Sequence, residues 1–259
     1  MLLAIDAGNT NVVFAVYNGN EAAHIWRCQT NSGRTADEYA AWLYQLFSRV
    51  GMSFDQIDDA IISSVVPDAN FHLTSLCRQN FNCDPICVSN QSADLKIKLD
   101  KPSEVGADRI VNAIAVQTAY QKPAIVIDFG TATTFDIIDA EGAYCGGAIA
   151  PGVNLSMSAL HQAAAKLPKI AIQKTDSAIG HDTVSAMQAG VYWGYVGLVE
   201  GILKRTTAEM GLDFYVIATG GLSSLFAEAI PDIDMVDKDL TLRGLLHIYN
   251  QHKQQRLAA

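Results

Sequence analysis

Two short segments of this chain hold the residues best suited to chemistry. Ile5-Asp6-Ala7-Gly8-Asn9-Thr10 lies near the start, and Ile127-Asp128-Phe129-Gly130-Thr131-Ala132-Thr133-Thr134 near the middle. Each reads as an apolar strand ending in Asp, then a Gly-centred turn rich in Asn or Thr, then a second apolar strand. Backbone N–H groups of such a turn can approach phosphate oxygens closely, with Gly8 free to adopt positive φ. Asn9 and Thr10 add neutral donors, and Asp6 at the strand end can hold Mg²⁺ directly or through water. In the second segment, three threonines in the four positions after Gly130 offer hydroxyls to a polyanion, although Thr also simply favours strands. One Asp-x-Gly turn is as easily an ordinary turn. Two of them, 122 positions apart from Asp6 to Asp128, point to two related halves serving one nucleotide.

A third cluster is Val105-Gly106-Ala107-Asp108-Arg109, in the first turns of an expected helix. Helical spacing puts Ile110, Val111 and Ile114 on one side and Asp108, Arg109 and Asn112 on the other. That second face reads either as a solvated surface or as a site, with Asp108 as proton acceptor and Arg109 as a bidentate carboxylate ligand. Gly146-Gly147 with Pro151-Gly152, and Thr219-Gly220-Gly221, end strands and read as chain reversals or as close backbone approaches to a ligand. The six histidines have no metal-ligand spacing, and neither Gly-x-x-x-x-Gly-Lys-Ser/Thr nor Gly-x-Gly-x-x-Gly occurs.

The elements that must position these residues follow a repeating order. Strands are expected over Leu2–Ile5, Val12–Tyr17 and Ala22–Cys28, then a helix with Thr35 as N-cap, Glu38 completing a capping box and Gly51 past its end. Its apolar stripe is Tyr39, Leu43, Leu46, Phe47 and Val50. A strand over Ala60–Val66, a helix over Phe71–Gln79, a strand over Pro85–Val88 and a helix over Ser103–Tyr120 complete the first half. The pattern then restarts with strands Ala124–Asp128, Thr134–Asp139 and Tyr144–Ile149, a helix over Asn154–Ala165, a long helix from Asp182 or Thr183 to Met210, a strand over Tyr215–Ala218 and a last helix from Leu240. This order gives an α/β chain of two domains, residues 1–118 and 119–259. The long helix carries Gly190, Gly194, Gly197 and Gly201, a small-residue face for tight packing in the core or between subunits.

Composition narrows the class. The net charge of −9 opposes a nucleic-acid or anionic-membrane surface. The five cysteines form no Cys-x-x-Cys pair, and zinc at Cys83 and Cys87 lacks further ligands nearby, so reduced thiols in a cytoplasm are expected. The start has no signal-peptide pattern, and the longest apolar stretch, Ala189–Val199, is too short to span a bilayer.

These motifs in this order resemble the type III pantothenate kinases of the actin-like and sugar-kinase superfamily. The resemblance rests on Asp6-x-Gly-Asn-Thr, Gly106-Ala-Asp-Arg109, Asp128-Phe-Gly-Thr-Ala-Thr, Gly146-Gly with Pro151-Gly152, Thr183 before Ala186-Met187-Gln188-x-Gly190, Thr219-Gly-Gly221 and Leu240-Thr-Leu-x-Gly-Leu245, and covers essentially the whole chain. It implies two duplicated actin-like (ribonuclease H-like) domains with ATP in the cleft, and phosphorylation of the primary hydroxyl of pantothenate. It assigns ATP to Asp6, Ala7, Gly8, Asn9, Thr10, Asn11, Val12, Val13 and Thr131, and Mg²⁺ to Asp6. It assigns a monovalent cation, K⁺ or NH₄⁺, to Asp128. Pantothenate falls to Leu99, Gly106, Ala107, Asp108, Arg109 and Thr183, with Asp108 as proton acceptor and Thr183 from the other subunit of a homodimer. Leu99 departs from the family, many members of which carry Tyr there. Two other readings stay open: a kinase for a different hydroxylated acid, and a non-catalytic regulator.

Overall fold

The computed structural model describes residues 1–164 and 167–258, in two compact units. The first comprises Met1–Tyr120 and Leu240–Ala259, the second Gln121–Asp239.

In the first unit β1 (Leu2–Ala7), β2 (Asn11–Asn18), β3 (Glu21–Gln29), β4 (Asp59–Ser64) and β5 (Ile86–Cys87) form one sheet ordered β3-β2-β1-β4-β5. β1 is central, antiparallel to β2 and parallel to β4, and buries five of its six residues. A nearly continuous apolar run with a single Asp suits a central strand buried on both faces. Helix α1 (Ala36–Arg49) starts as expected: the Thr35 hydroxyl accepts from the Glu38 N–H, and the Glu38 carboxylate accepts from the Thr35 N–H at 2.8 Å. Tyr39, Leu43 and Phe47 of its stripe are fully buried against Leu3, Ile5 and Phe14, whereas Val50 is the exposed C-cap. Helix α2 (Pro67–Asn80) begins four residues before the expected Phe71. Pro67 occupies the first turn, where its missing N–H costs nothing, and Phe71 is left exposed.

Helix α3 (Ala107–Ala119) starts later than expected, because Pro102–Glu104 form a separate short 3₁₀ turn. Gly106 is thus the N-cap and Asp108 lies in the first turn. The expected division of α3 into two faces does not hold. Asn112 is buried, and its side chain accepts from the Thr241 hydroxyl at 2.9 Å. The cover comes from the last helix, α7 (Leu240–Ala258), in which Gly244 sits where any Cβ would overlap the Val111 carbonyl. Tyr249 of α7 also donates to Asp59 at 2.7 Å. Residues 240–258 therefore pack in the first unit, whereas the sequence order suggested the second.

The second unit repeats the same sheet order. β6 (Ala124–Phe129), β7 (Ala132–Ile138), β8 (Tyr144–Pro151), β9 (Tyr215–Thr219) and β10 (Met235–Val236) are arranged β10-β9-β6-β7-β8, with β6 central. Its core joins Ile125, Ile127 and Phe135 to Tyr192, Val196 and Val199 of α5 and to Phe226, which stacks on Phe129. α4 spans Val153–Ala163, its expected end at Ala165 lying outside the described residues; α5 spans Thr183–Met210 and α6 Ser223–Ala227. Asp182 caps α5 by accepting from the Ser185 N–H. Gly190, Gly194 and Gly197 are exposed with open space beyond them, so the core reading of this small-residue face is excluded.

Candidate active site

In the first unit the site grows from the end of β1. Asp6 pairs with Val13 on one side and Ser63 on the other. The turn that follows is closed by the Gly8 N–H donating to the Asn11 carbonyl at 3.0 Å. Thr30, just after β3, braces it twice: its N–H donates to the Thr10 carbonyl at 2.9 Å and its hydroxyl to the Gly8 carbonyl at 2.6 Å. Asn9, Thr10 and Asn11 are exposed, as phosphate donors must be. Ala7 and Val12 are fully buried, backbone included, so they support the turn and, contrary to expectation, offer a ligand no accessible atoms. The positive φ anticipated for Gly8 is absent, and a Cβ there would sit 3.4 Å from the Asn11 carbonyl oxygen. The turn closes without a left-handed residue.

Asp108 enters from the first turn of α3. Its Oδ1 accepts from the Arg109 N–H at 2.8 Å, and Gly106 leaves the space that this carboxylate fills. A negative side chain is favoured at this helix end. Asp6 and Asp108 feel each other. Burial pushes the Asp6 carboxyl up to about 6, the Asp108 charge adds to the rise, and the Ser63 hydroxyl draws it back in part. Ser63 is fully buried, and its Oγ has no partner of full hydrogen-bond geometry. Sequence reasoning passed over Ser63; the available signal was a polar residue ending an apolar strand.

This pair of carboxylates fits a hard cation, because the chemistry of both is oxygen and their mutual repulsion is relieved by positive charge. Among the described residues no group of three or more His, Cys, Asp or Glu could cage a metal ion.

In the second unit Asp128 is the penultimate residue of β6, beside Thr134 of β7 and Thr219 of β9. Gly130 N–H donates to the Ala132 carbonyl at 3.0 Å, and Gly152 N–H to the Thr131 carbonyl at 3.1 Å. Gly220, at φ +86°, packs directly on Asp128 and the Phe129 backbone, where a Cβ would collide. The Gly220 and Gly152 signals are thus explained by close packing on the Asp128–Thr131 turn. Of the three threonines expected to face a polyanion, only Thr131 is exposed. Thr133 is buried, and Thr134 donates to Asp136 at 3.3 Å. Thr183 is exposed at the start of α5, and Leu99 is half-buried in a bend of the first unit. No helix among the described residues is long and apolar enough to cross a membrane.

Comparison with known proteins agrees with this geometry. The family model for type III pantothenate kinase matches residues 2–205. The type III pantothenate kinase of Paramagnetospirillum magneticum is 57% identical over 254 residues, covering 97% of this chain and 98% of that one. That of Rhodospirillum rubrum is 55% identical over 255 residues, covering 98% and 99%. Among solved structures, a protein described as a Baf family transcriptional activator from Campylobacter jejuni aligns with a TM-score of 0.64 at 19% identity, covering 97% of this chain and 99% of that one. One described as a 2-dehydro-3-deoxygalactonokinase from Sinorhizobium meliloti gives 0.63 at 10% identity, covering 97% and 96%. At such identities the structural likeness speaks for the fold alone, that of duplicated actin-like units. With more than half its residues shared with full-length relatives and the family pattern running through both turns, this chain belongs to the type III pantothenate kinase family.

Proposed function

We propose that this chain transfers the γ-phosphoryl group of ATP to the primary hydroxyl of pantothenate, giving 4′-phosphopantothenate, the first step of coenzyme A biosynthesis. The observation that carries the residue assignment is that the end of β1 and the start of α3 meet at Val65, whose N–H donates to the Ala7 carbonyl at 3.1 Å and whose Cγ1 lies against Gly106, which brings the Asp6 and Asp108 charges within reach of each other. Phosphoryl transfer asks for positioning and charge neutralisation more than covalent chemistry. Asp108 orients the attacking hydroxyl and accepts its proton at the carboxylate. Its carboxylate is held by the Arg109 N–H, so little reorganisation precedes the step. The Arg109 guanidinium binds the pantothenate carboxylate in bidentate fashion. Asp6 to Val13 bind the phosphates, chiefly through the backbone N–H groups and the exposed Asn9, Thr10 and Asn11 side chains. Asp6 would hold Mg²⁺, which would offset the charge of the phosphates. Asp128 would hold K⁺ or NH₄⁺.

We also assign a homodimer in the cytoplasm, with Thr183 reaching pantothenate from the second copy. The open, small-residue face of α5 supports the dimer: a Cβ at Gly190, Gly194 or Gly197 would meet nothing within 4 Å among the described residues, and Trp193 is exposed beside them. Leu99 in place of the family Tyr removes one possible hydrogen bond to substrate, worth about 0.5–1.5 kcal/mol, so Leu99→Tyr should leave the KM for pantothenate unchanged or lower it. The test is pantothenate-dependent ADP release with Mg²⁺-ATP, first in K⁺ and then in Na⁺ buffer. Turnover that requires K⁺ supports the reading. Folded protein that binds ATP and yet leaves pantothenate untouched would move the search to other hydroxylated acids.

A further inference from the structure

A second polar site adjoins the phosphate-binding turn and has no role in the scheme above. It is a cavity of about 400 Å³ lined by Gln29, Thr30, Asn31, Ser32 and Arg34, the connection between β3 and α1. Arg34 is its only charged lining residue. The guanidinium lies over the Tyr39 ring, 5.1 Å from its centroid, a cation–π contact that restrains it. Its Nη1 is buried and makes no hydrogen bond of full geometry, the Cys28 thiol being the polar side chain the guanidinium otherwise faces. A buried guanidinium N–H without an acceptor is uncommon, because the group loses its water and gains nothing. The nearby Glu38 carboxylate does not fill the gap, being engaged by the Thr35 N–H and hydroxyl in the capping box. The remaining lining groups are neutral amides and hydroxyls, and no carboxylate lines the cavity. A fixed cation among neutral donors selects an oxyanion, and guanidinium geometry suits phosphate in particular.

The cavity is tied to the phosphate turn. Thr30, one of its lining residues, holds both Gly8 and Thr10 through the two hydrogen bonds given above. We propose that the Gln29–Arg34 connection forms a phosphate subsite continuous with the Gly8–Thr10 turn, with Arg34 as its cation. Resting on the ATP-binding role of that turn, this inference adds a residue that reads the end of the phosphate chain. Two sources share the chemistry: the terminal phosphate of ATP and free inorganic phosphate.

Titration calorimetry separates them, using wild type, Arg34→Gln and Arg34→Lys with ADP, with a non-hydrolysable ATP analogue and with inorganic phosphate. If the terminal phosphate of the nucleotide is the ligand, Arg34→Gln lowers affinity for the ATP analogue about tenfold or more relative to ADP, the scale of one charge-assisted hydrogen bond. Arg34→Lys restores part of that loss by keeping the charge. If free phosphate is the ligand, wild type binds it saturably, Arg34→Gln does not, and the ratio of the two nucleotide affinities is unchanged. An unchanged ratio with no phosphate binding by wild type overturns the subsite. Failure of wild type to bind either nucleotide would count against the ATP-binding turn instead, and the phosphate titration would then decide the subsite alone. Circular dichroism melts of the three proteins identify a variant that fails to fold, in which case the Arg34→Lys titrations and the wild-type phosphate titration decide between these outcomes.

Discussion

Replacing Gly106 with Ala should separate the position of the Asp108 carboxylate from the stability of the fold. A Cβ at residue 106 would lie 2.6 Å from Asp108 Oδ1, against 3.4 Å or more in ordinary contact, so the carboxylate must move by about 0.8 Å. The next atom, Val65 Cγ1, is already at an ordinary 3.5 Å, and the backbone at φ −64°, ψ 149° suits Ala without strain. Exchanging Gly for Ala at an N-cap costs roughly 0.5–1 kcal/mol, and the reduced freedom of the unfolded chain returns about 0.4–1 kcal/mol. Net stability should therefore change by less than about 1 kcal/mol. A misplacement near 1 Å in a reacting group costs on the order of 10²-fold in rate, equal to about 2.7 kcal/mol of barrier. The expected result is a kcat lower by about two orders of magnitude, ATP affinity unaltered and Tm within a few degrees of wild type. Coupled ADP-release kinetics and calorimetric melting measure both. A variant with wild-type kcat would refute the claim that the Asp108 position limits the reaction; one that melts far lower would refute the account of the helix start.

Other perturbations probe different parts of the account. The folded Asp6 carboxyl, at about 6, titrates well above its ordinary value of 3.8, so the ligand-free fold favours its protonated form. The associated stability is full below pH 4 and is lost as pH rises through 6; Asp6→Asn should remove that loss, gaining up to about 3 kcal/mol at pH 8 while activity collapses, as denaturant melts across pH will show. Gly220→Ala forces a side chain into the left-handed region and against Asp128 and the Phe129 backbone. It should cost about 3 kcal/mol and blunt activation by K⁺, read from melting and from a K⁺ titration of rate. A Cβ at the exposed Gly194 meets nothing within 4 Å among the described residues, so the helix should tolerate Gly194→Leu while sedimentation shifts from dimer to monomer; a variant that sediments as wild type would remove α5 from the interface.

Much of the fold was legible because strand and turn signals are local. The Asp-Gly turns, the Thr35 capping box and the three-strand openings of both halves depend on neighbours a few positions apart, and the structure has them where the residues indicated. The fate of α7 was not legible. A helix with Gly244 among apolar residues announces close packing but not its partner, and only the structure shows that the partner is Val111 of α3. That same contact buries Asn112, which spacing alone had placed with Asp108 and Arg109. At the site, residue type and position singled out Asp6 and Asp108, and their assignment stands as a proposal. Thr133 and Thr134 were over-read, since β-strand alternation turns one into the core and an internal Asp136 takes the other. Ser63 and Arg34 escaped notice because their significance lies in partners distant along the chain or absent altogether.

The most direct test of the central claim is single-turnover phosphorylation of pantothenate by wild type and Asp108→Asn, with ATP binding measured on the same preparations. The amide keeps the size of the side chain and loses the proton acceptor. The expected result is unchanged ATP affinity with a phosphorylation rate lower by about 10²–10⁴-fold. A mutant that forms 4′-phosphopantothenate at the wild-type rate would contradict the assignment of Asp108 as proton acceptor.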